Sequence, residues 1–514
     1  MYKKNSLLFF IIFFFIIHIQ SSSPQDSNKR LLTQTQIHFN NRFHEVRNKV
    51  VNVVNGGEVP SLSIAAAKDG KIIWEEAFGW ADKEKKTKAT PHTLYSLASV
   101  SKPFTATGLM VLLQKGLIDL ENPVNDYFGE AKLTAYEGNA ADATVKRVLN
   151  HTSGLTEHFN HFFEDEAYRC PSMEDTIRRY GILVTPPGEI GAYSNLGYGI
   201  IGYIISKVTG QSYAQFMKEE IFLPLGLTHT SVNKSKAFEK YAATLYNKRG
   251  FPIPSFTSDS PAAGAIYSSV HDLIRFGMFH LKNHLPDQKQ ILSDKNIQKM
   301  QSDWDPNALY RDDYYGLGWL VDEDWNGYRV VYHHGSGPGA TSMLFLIPTE
   351  GLTVAVLCNS NSMLPFEICD EIVSLLLPRF AENLRKRTQE AGKGTVRRDL
   401  NIPVEFIGKW KGKIKTYDRE IGVKMLIQED GDFHIKLQDQ LETLINNVSY
   451  SRFFIFGIFN GKIPTRDNER RPYVLQIFVI LRDNRLSGRV TASALRDGYD
   501  AYNLSSWIEL KKKN

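Results

Sequence analysis

A serine stands three residues ahead of a lysine in Ser99-Val100-Ser101-Lys102, just before an apolar run with helical spacing: Phe104, Leu109, Met110, Leu112 and Leu113. At i and i+3 the two side chains share one helix face. A lysine amine kept neutral by burial and nearby cations can take the serine proton, and the serine oxygen then attacks a carbonyl. A helix N-terminus adds N–H groups and a dipole that favour an anion beside that oxygen. Pro103 is tolerated in a first turn, where its missing N–H is not needed. The spacing alone is weak. Ser231-Val232-Asn233-Lys234 repeats it without an apolar helix behind it and is expected to be a surface loop.

Two further groups suit the same chemistry. Tyr193-Ser194-Asn195 follows the turn Pro187-Gly188-Glu189. A tyrosine there can share protons with a serine and a lysine, and an amide can both donate to and accept from a substrate amide. His333-His334-Gly335-Ser336 ends a strand-like run, and glycine there lets a substrate approach the backbone closely. His158 and His161, with Glu157 and Glu164, have ligand-like spacing but no third convincing ligand; a polar loop is the better reading, and no metal or cofactor is expected. There is no Gly-x-Ser-x-Gly elbow, phosphate loop or dinucleotide fingerprint.

The elements that must position these residues follow from periodicity. Leu62–Ala66 and Lys71–Phe78 read as strands joined at Asp69-Gly70. Helical patterns follow at 103–115, Gly197–Val208 and Tyr213–Phe222. Gly316–Val321, Tyr328–Tyr332, Ser342–Ile347 and Thr353–Leu357 read as strands, closed by a helix around Phe366–Phe380. Strands at both ends and helices between predict one antiparallel sheet with a helical insertion. Arg385–Asp399 is polar and basic and reads as a linker. Beyond it Val423–Ile427, Phe433–Leu437, Phe453–Phe459, Val474–Leu481 and Leu486–Val490 predict an all-β module, barrel or sandwich.

Composition agrees with a folded, multidomain chain. Its 514 residues are 42% hydrophobic and 23% charged, which excludes bulk disorder. A net charge of +5 offers no nucleic-acid footprint. The start, with Lys3 and Lys4, the apolar run Leu7–Ile19 and Ser21–Ser23, reads as a secretory signal too short to span a bilayer. A secreted or secretory-lumen protein is therefore expected, off the membrane once the signal is removed. Cys170, Cys358 and Cys369 are an odd set in which no pair is favoured. Sequons at Asn150, Asn233, Asn447 and Asn503 permit glycosylation without arguing for it.

Taken together, the three motifs resemble the S-x-x-K, Y-x-N and K-[ST]-G signature of the serine β-lactamase and penicillin-binding-protein superfamily. So do Leu149-Asn150-His151-Thr152-Ser153-Gly154-Leu155, Phe222-Leu223-Pro224-Leu225-Gly226-Leu227 and Gly316-Leu317-Gly318-Trp319, and the likeness runs from about Phe39 to Phe380. The closest branch is similar to class C β-lactamases, family VIII esterases, D-aminopeptidases and the animal β-lactamase-like proteins. The resemblance implies an α+β fold, an α/β sandwich plus an all-α region, with Ser99 at their junction. It implies Ser99 as nucleophile, Lys102 and Tyr193 sharing acid/base duty, Asn195 on the substrate amide, and an oxyanion hole of the Ser99 and Ser336 N–H groups. His333 stands where the family has a lysine, so a fixed cation for a substrate carboxylate is missing. Gly408-Lys409-Trp410 resembles the opening of lipocalin-like barrels.

The expected organisation is a signal at 1–25, a hydrolase domain at 39–384, a linker at 385–400 and a β-barrel-like domain at 401–514. The expected substrate is a small-molecule or peptide ester or amide. A transesterase, or a catalytically silent binding protein on the same fold, stays open as an alternative.

Overall fold

A computed structural model describes residues 42–234, 238–305, 314–391 and 402–513. The expected signal at 1–25 and residues 392–400 of the expected linker lie outside them. So do residues 235–237.

The strands from the two ends of the 39–384 region form a single antiparallel sheet. Its order is Tyr314–Tyr315, Leu320–Trp325, Tyr328–Gly337, Ala340–Ile347, Leu352–Cys358, Ser61–Lys68, Lys71–Asp82 and Thr87–Lys88. Ser61–Lys68 is an interior strand, paired with Leu352–Cys358 on one side and Lys71–Asp82 on the other. Because side chains alternate across a sheet, this strand serves two cores. Leu62, Ile64 and Ala66 pack with Val46, Val50, Ile368 and Ile372, from helices His44–Asn55 and Leu364–Leu376. Ala65 and Ala67 belong to the opposite core with Leu109, Ile201 and Phe276, from helices Ser101–Gln114, Asn195–Thr209 and Val270–His280. Ser101–Gln114 is buried from Ser101 to Leu112, so the helix carrying the lysine lies between the sheet and the helical region.

Several local expectations change. Gly316–Trp319 is a turn rather than a strand: Gly318 has φ +94 and the Gly316 N–H bonds the Trp319 carbonyl at 2.8 Å. His333 to Gly337 lie inside the strand Tyr328–Gly337 instead of just past its end. The start of the expected linker is helical, because Pro378–Ala391 packs Phe380 and Leu384 on the outer core. The second S-x-x-K copy begins within a strand, Thr230–Val232, not a loop. Asn150 is buried, which closes that sequon in the folded state. Cys170, Cys358 and Cys369 are all free thiols.

The C-terminal module is a nearly closed antiparallel barrel. Nine strands run in the order Thr443–Leu444, Phe433–Leu437, Glu420–Ile427, Gly408–Lys415, Tyr499–Lys512, Arg485–Arg496, Val474–Arg482, Phe454–Phe459 and Asn446–Tyr450. Alternation is plain in Glu420–Ile427, where Ile421, Val423, Met425 and Ile427 point inward. Trp410 is fully buried and its indole N–H bonds the Phe406 carbonyl at 2.7 Å.

The barrel is joined to the preceding domain by backbone pairing. Strand Phe159–Phe163 pairs with Tyr499–Lys512, setting Tyr502 against Asn160 and Asn503 against Phe159. Charged side chains complete the seam: Arg485 on Glu137, Arg482 on Glu189, Arg496 on Asp165, and Arg179 on Asp467. Tyr136 stacks on Trp507 at 4.7 Å.

Candidate active site

Ser99 lies in the 3-10 turn Ala98–Val100 that opens onto the buried helix Ser101–Gln114. Ala98 has φ +44, a left-handed conformation costly for a residue with a Cβ, and it presents the serine at a sharp turn. Three contacts hold that turn. The Leu97 N–H bonds the Ile266 carbonyl at 2.9 Å, the Ser342 hydroxyl donates to the Leu97 carbonyl at 2.7 Å, and the Ser101 hydroxyl accepts from the Ile266 N–H at 3.0 Å.

Lys102 is completely buried. Its Nζ lies 3.1 Å from Ser99 Oγ, 2.8 Å from Asn195 Oδ1 and 3.0 Å from the Ala263 carbonyl. Burial holds its pKa well below the usual lysine range, against a weaker pull from the Glu157 charge. A neutral amine has two N–H donors and one lone pair. Asn195 Oδ1 and the Ala263 carbonyl can only accept, so they take the two donors, and the lone pair is left for the Ser99 O–H.

Tyr193 reaches the same serine from the other side. Burial raises its pKa, against a weaker opposite pull from Ser99, so it stays a phenol. Its ring passes 4.6 Å from Lys102 Nζ. The middle residue of Tyr193-Ser194-Asn195 locks the motif. The Ser194 hydroxyl caps helix Asn195–Thr209 by accepting from the Gly197 N–H at 3.1 Å, and it donates to the Thr156 carbonyl at 2.8 Å. The motif is thus a helix N-terminus, not a free loop.

The third motif closes the site along its sheet edge. A Cβ on Gly335 would lie 2.2 Å from the Leu97 carbonyl, 2.4 Å from Ser342 Oγ and 3.0 Å from the Ser99 nitrogen. Only glycine lets this strand lie against the Ser99 turn. Ser336 follows it with its side chain exposed. His333 points inward and is buried. Its Nδ1 donates to the His334 carbonyl at 2.7 Å, which leaves Nε2 to accept from the Tyr315 hydroxyl at 2.9 Å. Burial, then the Lys102 charge, push its pKa well below the usual histidine value. His333 is a neutral wall of the site rather than a cation.

The structure therefore brings together Ser99, Lys102, Tyr193, Asn195, Gly335 and the buried His333 beside Ser336. It also brings in residues to which sequence reasoning assigned no role. His151 is buried with φ +60, accepts the Ser194 N–H on Nδ1 at 3.1 Å and lies 4.4 Å from the Tyr193 ring. Asn361 braces the loop after Ser336: its amide donates to the Gly337 carbonyl at 2.8 Å and its oxygen accepts the Gly339 N–H at 3.0 Å. The Leu149–Leu155 segment was the available signal for His151; Asn361 had none. His158 and His161 do not form a metal centre. His158 pairs with Asp259 at 2.7 Å, His161 bonds the Asp500 carbonyl at 3.2 Å, and among the described residues no group of three or more His, Cys, Asp or Glu could hold an ion. Their segment is the strand that meets the barrel, not a polar loop.

Comparison with known proteins agrees with this geometry. Protein flp of Staphylococcus aureus (strain MRSA252) is 31% identical over 315 residues, 60% of this chain and 60% of its own length. Penicillin-binding protein 4* of Bacillus subtilis is 29% identical over 337 residues, 59% of this chain and 69% of its own. The chain thus spans about 60% of the length of protein flp. The octameric penicillin-binding protein homologue from Pyrococcus abyssi has the same fold at a TM-score of 0.57 and 24% identity, over 90% of this chain and 99% of that one. A class C beta-lactamase matches at 0.55 and 18% identity, over 66% of this chain and 96% of its own. The family model for beta-lactamases covers residues 46–374, and the chain belongs to that family, whose superfamily members are generally serine hydrolases.

Proposed function

We propose that this protein is a serine hydrolase that cleaves ester or amide bonds through an acyl-enzyme on Ser99. The observation that carries the reading is the set of contacts around Lys102. Two obligate acceptors take its N–H donors and leave its lone pair on Ser99. In the first step Ser99 Oγ bonds to the substrate carbonyl carbon and its proton moves to Lys102 Nζ. The oxyanion meets the N–H groups of Ser99 and Ser336. One such donor is worth about 2.7–4 kcal/mol of transition-state stabilisation. The leaving group departs with a proton relayed through the Tyr193 phenol, which its raised pKa keeps protonated. Water then attacks the acyl-enzyme by the reverse relay.

His333 narrows the substrate. A neutral imidazole, already committed to Tyr315 and the His334 carbonyl, supplies no fixed positive charge for a carboxylate. This supports esters and amides without a carboxylate at that position, and slow turnover of β-lactams. The test is labelling with a fluorophosphonate probe, followed by turnover of p-nitrophenyl esters, aminoacyl amides and nitrocefin. Labelling that disappears in Ser99→Ala is expected. Its absence in the wild type overturns the reading, and fast nitrocefin turnover overturns the role given to His333.

A further inference from the structure

Charge is spread unevenly over the outer face of the barrel. In strand Gly408–Lys415 the buried positions are Trp410 and Ile414, so Lys409, Lys411, Lys413 and Lys415 face outward. The same alternation in Glu420–Ile427 and Phe433–Leu437 turns Lys424 and Lys436 outward. The register then sets lysine against lysine. Lys411 is paired with Lys511 on one side and with Lys424 on the other, and Lys424 is paired with Lys436. Four lysines thus stand in one row across four adjacent strands. Arg485 continues the row on a fifth strand, opposite Lys511.

Directly opposed residues in an antiparallel sheet have Cβ atoms about 4.5–5.5 Å apart, and like charges there are destabilising. Charges beside the row are matched. Lys413 and Lys415 meet Glu420 at 2.9 and 3.7 Å. Arg485 is taken by Glu137 of the preceding domain and lies 3.6 Å from Glu509. The row itself is not: among the described residues Lys411, Lys424, Lys436 and Lys511 enter no ion pair. Exposed Lys409 and Lys513 extend the positive surface, joined by a hydrogen bond from the Lys513 N–H to the Lys409 carbonyl at 2.8 Å. A sheet that holds four cations in register without an anion gives up stability that a bound polyanion would return.

We propose that this row is a docking surface for a linear anionic polysaccharide, a sulfated or carboxylated chain whose repeated charges meet successive lysines. Shape selects a flexible chain over a flat surface. In a nearly closed barrel of nine strands each step turns the outward direction by roughly 40°, so the lysines fan over a convex face. A bilayer touches only the crest of such a fan, whereas a flexible chain wraps it. Chemistry selects a polysaccharide over a nucleic acid. Single-strand binding adds aromatic platforms for the bases, and the outward positions of these three strands carry no Phe, Tyr or Trp. The row ends at the seam, where Arg485 holds Glu137. None of its lysines belongs to the Ser99 site, so docking stands apart from hydrolysis.

Fluorescein-labelled heparin and the full chain test it by anisotropy at about 0.15 M salt. Wild type is expected to bind, more weakly as salt rises. Lys411→Gln/Lys424→Gln should weaken binding about tenfold or more. Its melting temperature without heparin should equal or exceed that of wild type, because a like-charge contact is gone. Lys86→Gln/Arg249→Gln removes the same charge from exposed positions on the preceding domain and should stay within about twofold of wild type. No binding by wild type overturns the proposal. So does an equal loss in the two double variants. A lower melting temperature in Lys411→Gln/Lys424→Gln also overturns it, since the lysines then serve the fold. Tighter binding of a single-stranded oligonucleotide, or of phosphatidylserine vesicles, than of heparin overturns the assignment to a polysaccharide.

Discussion

Gly335→Ala probes the closest approach in the site. The new methyl carbon would stand 2.2 Å from the Leu97 carbonyl and 2.4 Å from Ser342 Oγ. The serine side chain can rotate; the carbonyl cannot, because Leu97 is tied to Ile266 and Ser342. The strand Tyr328–Gly337 must therefore retreat by roughly 1 Å, a displacement that at a reacting centre costs about 10²-fold. The following N–H, on Ser336, moves with it, and losing one oxyanion donor costs about 10²–10³-fold in kcat. The expected loss is thus about 10²–10³-fold in acylation of Ser99. Overpacking of this kind costs about 1–3 kcal/mol of stability, so the fold survives. The assay is the initial rate of fluorophosphonate labelling with p-nitrophenyl butyrate kcat/KM, beside a thermal melt. Gly422→Ala is the control: it lies in a barrel strand where an added Cβ meets nothing within 4 Å. If Gly335→Ala acylates within about threefold of wild type, the close approach is not what builds the hole.

Lys102→Met should lower acylation by about 10²–10⁴-fold. In the wild type the rate should fall as pH drops through the lowered Lys102 pKa, since the neutral amine is the active form, and that limb should vanish in the variant's pH–rate profile. His333→Lys should raise labelling by a fluorescent penicillin relative to a neutral ester by about tenfold, the scale of one charge-assisted hydrogen bond; an unchanged ratio would falsify the assignment of His333 as the missing cation. His280 is buried against Phe276 and Trp319 and its pKa is lowered to about 3, from 6.5 in the unfolded chain. The unfolded state therefore binds that proton first, and stability is lost as pH falls from 6.5 towards 3. Urea midpoints of His280→Gln across this window should give a slope shallower by about one proton.

That Ser99, Lys102 and Asn195 come together was legible because the acyl transfer proposed for them needs those residue types at short spacings on a helix start. The central strands were legible because Leu62, Ile64 and Ala66 stand in an unbroken buried run beside a clear turn. His151, Tyr315 and Asn361 were not, since tertiary folding alone brings them to the site. The long strand Tyr499–Lys512 was missed for a different reason. Its outer face, with Asn503, Ser505 and Trp507, packs on the hydrolase domain, so polar residues fall where a solvent-facing strand would be exposed and an inner one apolar. The helix through Arg385 was hidden by its basic composition; Phe380 and Leu384, one turn apart, were its apolar stripe.

The pairing of Tyr499–Lys512 with Phe159–Phe163 bears on how the molecule is made. This strand lies between Gly408–Lys415 and Arg485–Arg496, so the barrel stays open along one side until residue 512 has been synthesised. The same strand supplies the Ser505 hydroxyl that bonds the Glu157 carbonyl, next to the Thr156 carbonyl that takes the Ser194 hydroxyl. During N-to-C synthesis the core of the first domain, whose last helix ends at Ala391, can collapse about 120 residues before Lys512 is made, but the segment beside its site is pinned only when the distal strand docks. A nascent or C-terminally clipped chain would carry Ser99 and Lys102 without the strand that pins the segment next to Tyr193-Ser194-Asn195, which ties the finished shape of the site to completion of the polypeptide.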